Sequence, residues 1–169
     1  VDNRPGGDAT IGVHLTAQAP ADGHTMVIVI TSHAVHPSLR KLPYDNERDV
    51  APVSLLAVTP YFLSVHPSLP VRTVKELIAL ARNRPGELNF SSPQSGGPTH
   101  LSAELFTLMA RVKMVHIPYK GVANSIVGIM SGEAQVGFPV APPALPLIKD
   151  GRLRALAVTT PRRSKAAPQ

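Results

Sequence analysis

Cysteine is absent from the 169 residues, which excludes disulfides, thiolate metal sites and a cysteine nucleophile. That absence leaves the compartment open, although it is compatible with an oxidising one. Tryptophan is also missing, aromatics make up only 4%, and the basic residues form no long block. These features argue against nucleic acid as a partner. The longest aliphatic run, Met26-Val27-Ile28-Val29-Ile30, is far short of the roughly 20 residues that cross a bilayer. Val1 opens on neither a basic nor an apolar leader segment, so no signal peptide is expected within the chain. The lack of an initiator methionine, with a start on residues resembling a strand end, reads as a processed or cut sequence.

What is present suits an ordered fold rich in turns: 43% hydrophobic residues alongside 18 prolines and 12 glycines. One core of ordinary size or two small ones can form at this length. The net charge of +6 is uneven. Residues 1–60 hold four basic and six acidic groups, whereas residues 61–169 hold thirteen and five. A basic C-terminal portion favours an anionic partner, a phosphate or carboxylate rather than nucleic acid.

Short β-rich runs alternate with helix-patterned segments. Residues 24–31 follow a Pro20-Ala21-Asp22-Gly23 turn and read as a buried strand. Before them, 10–19 reads as a helix with Ile11, Leu15 and Gln18 on one face and Val13 and Ala17 beside it, stopped by Pro20. Residues 32–60, rich in proline and turn formers, read as a connection between two subdomains. Then 61–65 is a strand and 73–83 the best-marked helix, opened by a capping box of Thr73 and Glu76. Strands are expected at 88–92, 112–117, 134–138 and 153–159, and helices at about 99–110, 123–130 and 144–149. Strands separated by helices of this length build a parallel sheet with helices on its faces.

The most informative segment is Phe90-Ser91-Ser92-Pro93-Gln94-Ser95-Gly96-Gly97-Pro98-Thr99-His100, which joins a strand end to a helix start. Ligands settle at that end of parallel sheets, and amides of a first helical turn lack intrahelical acceptors. Gly96 and Gly97 let a ligand approach the backbone, while Ser92, Ser95 and Thr99 add hydroxyls. An anion, most simply a carboxylate, satisfies such a place. The same residues also suit a plain capped turn, with Ser95 or Thr99 as cap and Pro98 pre-setting the first turn. His100 is either an anion-orienting group or a locally packed histidine. Thr31-Ser32-His33 and Tyr119-Lys120-Gly121 each follow a strand and occupy comparable places. Arg4-Pro5-Gly6-Gly7 is either a second anion-friendly turn or a plain one. His33 and His36 sit three apart but lack a nearby carboxylate, so a metal site is not expected. No G-x-S-x-G elbow, P-loop, strand-linked G-x-G-x-x-G or paired carboxylates occur. The chain offers a place to hold an anion and no evident means to transform it, so no enzyme and no cofactor are expected.

Several stretches together resemble one family, the periplasmic solute receptors of tripartite tricarboxylate transporters, often called Bug receptors. They are Asp2-Asn3-Arg4-Pro5-Gly6-Gly7 with Ile11-Gly12; Ala21-Asp22-Gly23-His24-Thr25; and Leu42-Pro43-Tyr44-Asp45 with Ala51-Pro52-Val53-Ser54-Leu55-Leu56. Further along come His66-Pro67-Ser68-Leu69-Pro70-Val71, Val115-His116-Ile117-Pro118-Tyr119-Lys120-Gly121 and Leu153-Arg154-Ala155-Leu156-Ala157-Val158-Thr159. The resemblance implies an α/β fold of the type II periplasmic-binding kind: two lobes of mostly parallel sheet flanked by helices. It implies a partial first lobe with a crossing segment at 1–60, a second lobe at 61–160 and a tail or return linker at 161–169. The first lobe would then be incomplete and the chain truncated at both ends relative to the family.

In function, the resemblance implies a periplasmic receptor that delivers a small organic carboxylate (di- or tricarboxylate, amino acid or aromatic acid) to membrane transporter subunits. The implied contacts are Thr31, Ser32 and His33 in the first lobe. In the second they are Ser92, Gln94, Ser95, Gly96, Gly97, Thr99, His100 and Tyr119. Phe138-Pro139-Val140 stands where the family often has a polar Phe-Asp-Asn wall. An incomplete lobe also implies self-association and weak ligand binding by the isolated chain. The competing readings are a regulator's ligand-sensing domain, which lacks a visible helix-turn-helix, and a carboxylate-handling hydrolase.

Overall fold

The structure, a computed structural model, describes residues 1–4 and 7–163. The chain divides into two compact units, Val1–Leu56 and Ala57–Gln169.

The first unit holds a single 3-10 turn, Gly7–Ala9, and two eight-residue helices, α1 (Thr10–Ala17) and α2 (Ser32–Leu39). In α1 the buried side chain is Val13, whereas Ile11 and Leu15 are exposed, so the Ile11–Leu15 face is the more solvated one. Helix α2 replaces part of the expected connection. Pro37 sits inside it and cannot donate to the carbonyl of His33, which normally ends a proline-containing helix. The side-chain amide of Asn46 donates to that carbonyl instead. Residues 24–30 run on without strand pairing. A β-branched sequence becomes a strand only when a neighbour supplies the other half of the ladder. Among the described residues none does, and Met26 and Ile28 are each 76% exposed.

The second unit is a five-stranded sheet with helices: β1 (Phe62–Val65), α3 (Val74–Asn83), β2 (Asn89–Ser92), α4 (Pro98–Ala110), β3 (Val115–Pro118), α5 (Val122–Met130), β4 (Val136–Gly137), α6 (Ala141–Lys149) and β5 (Arg154–Val158). Strand order is β3-β2-β4-β1-β5. β2 pairs parallel with both β3 and β4, from Asn89↔Val115 and Phe90↔Val136 onward. β1 pairs antiparallel with β4 and β5. Four strands therefore share one direction and β1 opposes them, in keeping with the expected mostly parallel sheet flanked by helices. Alternating strands and helices predict the right-handed β2-α4-β3 and β3-α5-β4 crossovers. They are silent about β1, which inserts between two later strands.

Local signals explain most boundaries. The Thr73 Oγ1 accepts from the Glu76 N–H at 3.2 Å, and the Glu76 carboxylate returns to the Arg72 N–H at 2.6 Å, one residue earlier than an ideal capping box. Leu77 and Ala81 then point into the main core with Leu63, Val65, Phe90 and Val136. Gly132 and Gly151 follow α5 and α6 in left-handed conformations with φ of +80° and +70°, the conformation that closes helices with least strain in glycine. Burial of all four β1 residues fits a central strand covered on both faces.

Candidate functional site

β2, β3 and β4 point the same way, so their C-terminal ends open on one edge of the sheet. From there the chain enters α4, α5 and α6. A cleft open to solvent lies at this edge, lined by Ser91, Pro93 and Thr99, by Val122, Ser125 and Ile129 on α5, and by Phe138, Pro139 and Val140 after β4. Residues at the starts of three helices therefore border one hollow: Thr99 in α4, Val122 in α5 and Val140 as the N-cap of α6. Their aligned peptide dipoles make its rim electropositive. Pro98 has no N–H, and among the described residues the amides of Thr99 and His100 find no acceptor; Leu101 N–H is the first to bond back, to Gly97 O at 3.0 Å.

The floor is apolar except for three buried hydroxyls, Ser91, Thr99 and Ser125. Ser125 Oγ spends its proton on Val122 O at 2.9 Å. Gly137 makes the floor possible: a Cβ there would collide with the tip of Ile129 and come within 3.0 Å of Ser91 Oγ. The arrangement suits a ligand with an anionic end and an apolar body.

The residues expected from sequence take different places around this hollow. Thr99 lines it. Gly96 and Gly97 are buried in the turn before α4, Ser95 is exposed at its tip, and Gln94 packs its side chain over Gly97. The Gly96 N–H is not free as expected; it donates to His100 Nδ1 at 3.0 Å, because the helix brings that ring back beneath the turn. Ser92 is fully buried behind the turn, donating to Gln94 O at 2.9 Å and touching His116 Nε2 at 2.7 Å. The His100 ring lies against that of His116, tilted by 34°, with ring centroids 4.1 Å apart. Tyr119 lies over Gly128 rather than along the cleft, and burial, then the nearby Glu133 carboxylate, push its hydroxyl up to about 12. Lys120 is exposed.

Residues that the sequence reading passed over are Ser125, Ile129 and His116. A small polar residue in the apolar helix Val-Ala-Asn-Ser-Ile-Val-Gly-Ile-Met was the available signal for Ser125.

The first unit carries its own hollow, lined by Ala9, Val13, Val29, Ile30, Ser32, His33 and His36. The N-cap of α1, Ala9, and the first residues of α2 meet there. Ser32 is fully buried, and its Oγ finds no partner among the described residues; His33 Nδ1 is likewise unpaired. Burial, then neighbouring His36, hold the His33 pKa below its ordinary value. Thr31, by contrast, is exposed. Of the Arg4–Gly7 turn, Pro5 and Gly6 lie outside the described residues, as do residues 164–169 of the expected tail. Among the described residues no group of three or more potential metal ligands is gathered, and no helix is long and apolar enough to cross a membrane.

Comparison with known proteins agrees with this architecture. The family model described as "Tripartite tricarboxylate transporter family receptor" matches residues 1–169. BugT of Bordetella pertussis is 36% identical over 171 residues, covering 99% of this chain and 52% of that protein. A Pseudomonas sp. protein encoded in the tcbD–tcbE intergenic region is 34% identical, covering 100% of this chain and 51% of its own length. The chain thus spans about half the length of the curated relatives it matches. Among solved structures, an R. palustris protein with adipate superposes with a TM-score of 0.84 at 38% identity, over 96% of this chain and 55% of that one. The order of elements, the sheet and a match along the whole chain place it together: the chain belongs to the tripartite tricarboxylate transporter receptor family.

Proposed function

We propose that the protein is a periplasmic receptor that binds a small organic carboxylate without transforming it and hands it to the membrane subunits of a tripartite transporter. The observation that carries this reading is the convergence of three helix N-termini on one apolar-floored cleft with unpaired amides at Thr99 and His100. The family and the adipate bound to the R. palustris relative support a carboxylate as ligand. The apolar wall of Phe138, Pro139 and Val140 favours a ligand with a methylene or aromatic body. Unpaired Ser32 Oγ supports a ligand-contacting role for the start of α2.

A non-catalytic role is supported by the one hydroxyl–imidazole pair beside the loop. Ser92 and His116 stand at nucleophile–base distance, yet Ser92 is fully buried and its proton is committed to Gln94 O. The exposed apolar residues of 26–30 and 53–58 favour self-association as a further property. A thermal-shift series with adipate, succinate, citrate and benzoate tests the central reading. Selective stabilisation by carboxylates is expected; melting unchanged by every acid at millimolar concentration would overturn it.

A further inference from the structure

The proton inventory around the loop fixes both histidine tautomers. Ser92 has a single hydroxyl proton and donates it to Gln94 O at 2.9 Å. The 2.7 Å contact to His116 must therefore be the Nε2–H of the imidazole donating to Ser92 Oγ. The Gly96 N–H can only donate, so the 3.0 Å contact makes His100 Nδ1 an unprotonated acceptor. The His100 proton then resides on Nε2, 3.4 Å from Glu104 Oε1. The two rings lie tilted at 34° to each other, and both stack on Phe90, at 5.9 Å for His100 and 4.9 Å for His116.

One imidazole thus holds the amide of Gly96, and the other, through Ser92, holds the carbonyl of Gln94. Between these two anchors stands exposed Ser95, and Gly96 adopts a left-handed φ of +80°. We propose that His100 and His116 are positioning residues for the carboxylate loop: as neutral imidazoles they clamp turn 93–97 from two sides. This rests on the carboxylate reading above, since the clamp serves binding only if the loop receives a ligand.

The ionisable groups facing His100 are Glu104 from its own helix and His116 from β3; β2 contributes uncharged Phe90. Burial and then His100 hold His116 below its ordinary pKa, while Glu104 opposes them.

Two substitutions separate clamp from packing. His100→Asn keeps an acceptor oxygen close to the position of Nδ1 but loses the stacked ring. His100→Phe keeps the ring and loses the acceptor. Adipate is the probe, titrated into the chain at pH near 8 and followed by amide NMR. His100→Phe is expected to bind roughly fivefold more weakly than wild type, the worth of one hydrogen bond, and His100→Asn, which restores an acceptor for the Gly96 N–H, to recover most of that loss. In the free protein the Gly96 amide should exchange slowly with solvent in wild type and His100→Asn, and faster in His100→Phe, which offers it no acceptor. The reverse affinity order, or a Gly96 amide that exchanges equally fast in all three proteins, would overturn the clamp. Adipate binding to no variant would sink the carboxylate reading instead, while the Gly96 exchange still decides the clamp.

Discussion

Thr99 brings two groups to the cleft: its main-chain amide finds no acceptor among the described residues, and its side chain lines the hollow. Thr99→Val keeps the shape and removes the hydroxyl, so adipate affinity should fall roughly fivefold in an NMR titration with little change in urea stability. His116 gives the pH dependence. Its pKa is lowered in the folded state, so the unfolded chain binds more protons in acid. Its stabilising contribution is complete above the unfolded value of 6.5 and is lost as pH falls below that value toward the folded one. Melting temperature should therefore decline on acidification from pH 7, and His116→Phe should flatten that decline. At this scale the sequence was partly legible. Ser91–His100 stood out because glycines, hydroxyls and a proline followed a strand. Tyr119 stood out for the same topological reason, but Gly128 leaves room for its ring on α5, and no local pattern records that vacancy.

Elements were legible where a local signal sufficed. Thr73 and Glu76 announce α3, and Thr73→Ala should cost about 1 kcal/mol in denaturant melts. Elements that depend on distant partners were not. Helix α2 survives its internal proline because Asn46 reaches the His33 carbonyl, and a residue thirteen positions away is invisible to a helix pattern. Asn46→Ala should loosen α2, read as faster amide exchange at Val35, His36, Ser38 and Leu39. The stretch 24–30 has the composition of a strand, but strand formation needs a ladder partner, and the apolar side chains stay exposed. Gly137 shows the converse: in a two-residue strand, its missing side chain lets Ile129 and Ser91 close the cleft floor. Gly137→Ala should destabilise the second unit by about 1–3 kcal/mol, with Ile129 driven toward the hollow.

The two compact units differ in how far their apolar side chains are covered. Ala57–Gln169 carries a five-stranded sheet and three hydrophobic clusters, whereas Val1–Leu56 leaves two apolar stretches bare. Sedimentation velocity at tens of micromolar should show dimers or larger species, and a strictly monomeric boundary would contradict self-association. The alternation of strands and helices announced an α/β architecture, and the scattered short matches announced the family. The reversed direction of β1 was hidden because direction depends on where a strand inserts, which chain order alone does not state.

The central claim is that free amides at the start of α4 receive a carboxylate. The direct measurement is a two-dimensional amide NMR titration of this chain with adipate. The account predicts saturable downfield shifts largest at Thr99 and His100, with smaller ones at Val122 and Ser125. Shifts confined to other regions, or a spectrum unchanged at millimolar adipate, would contradict it.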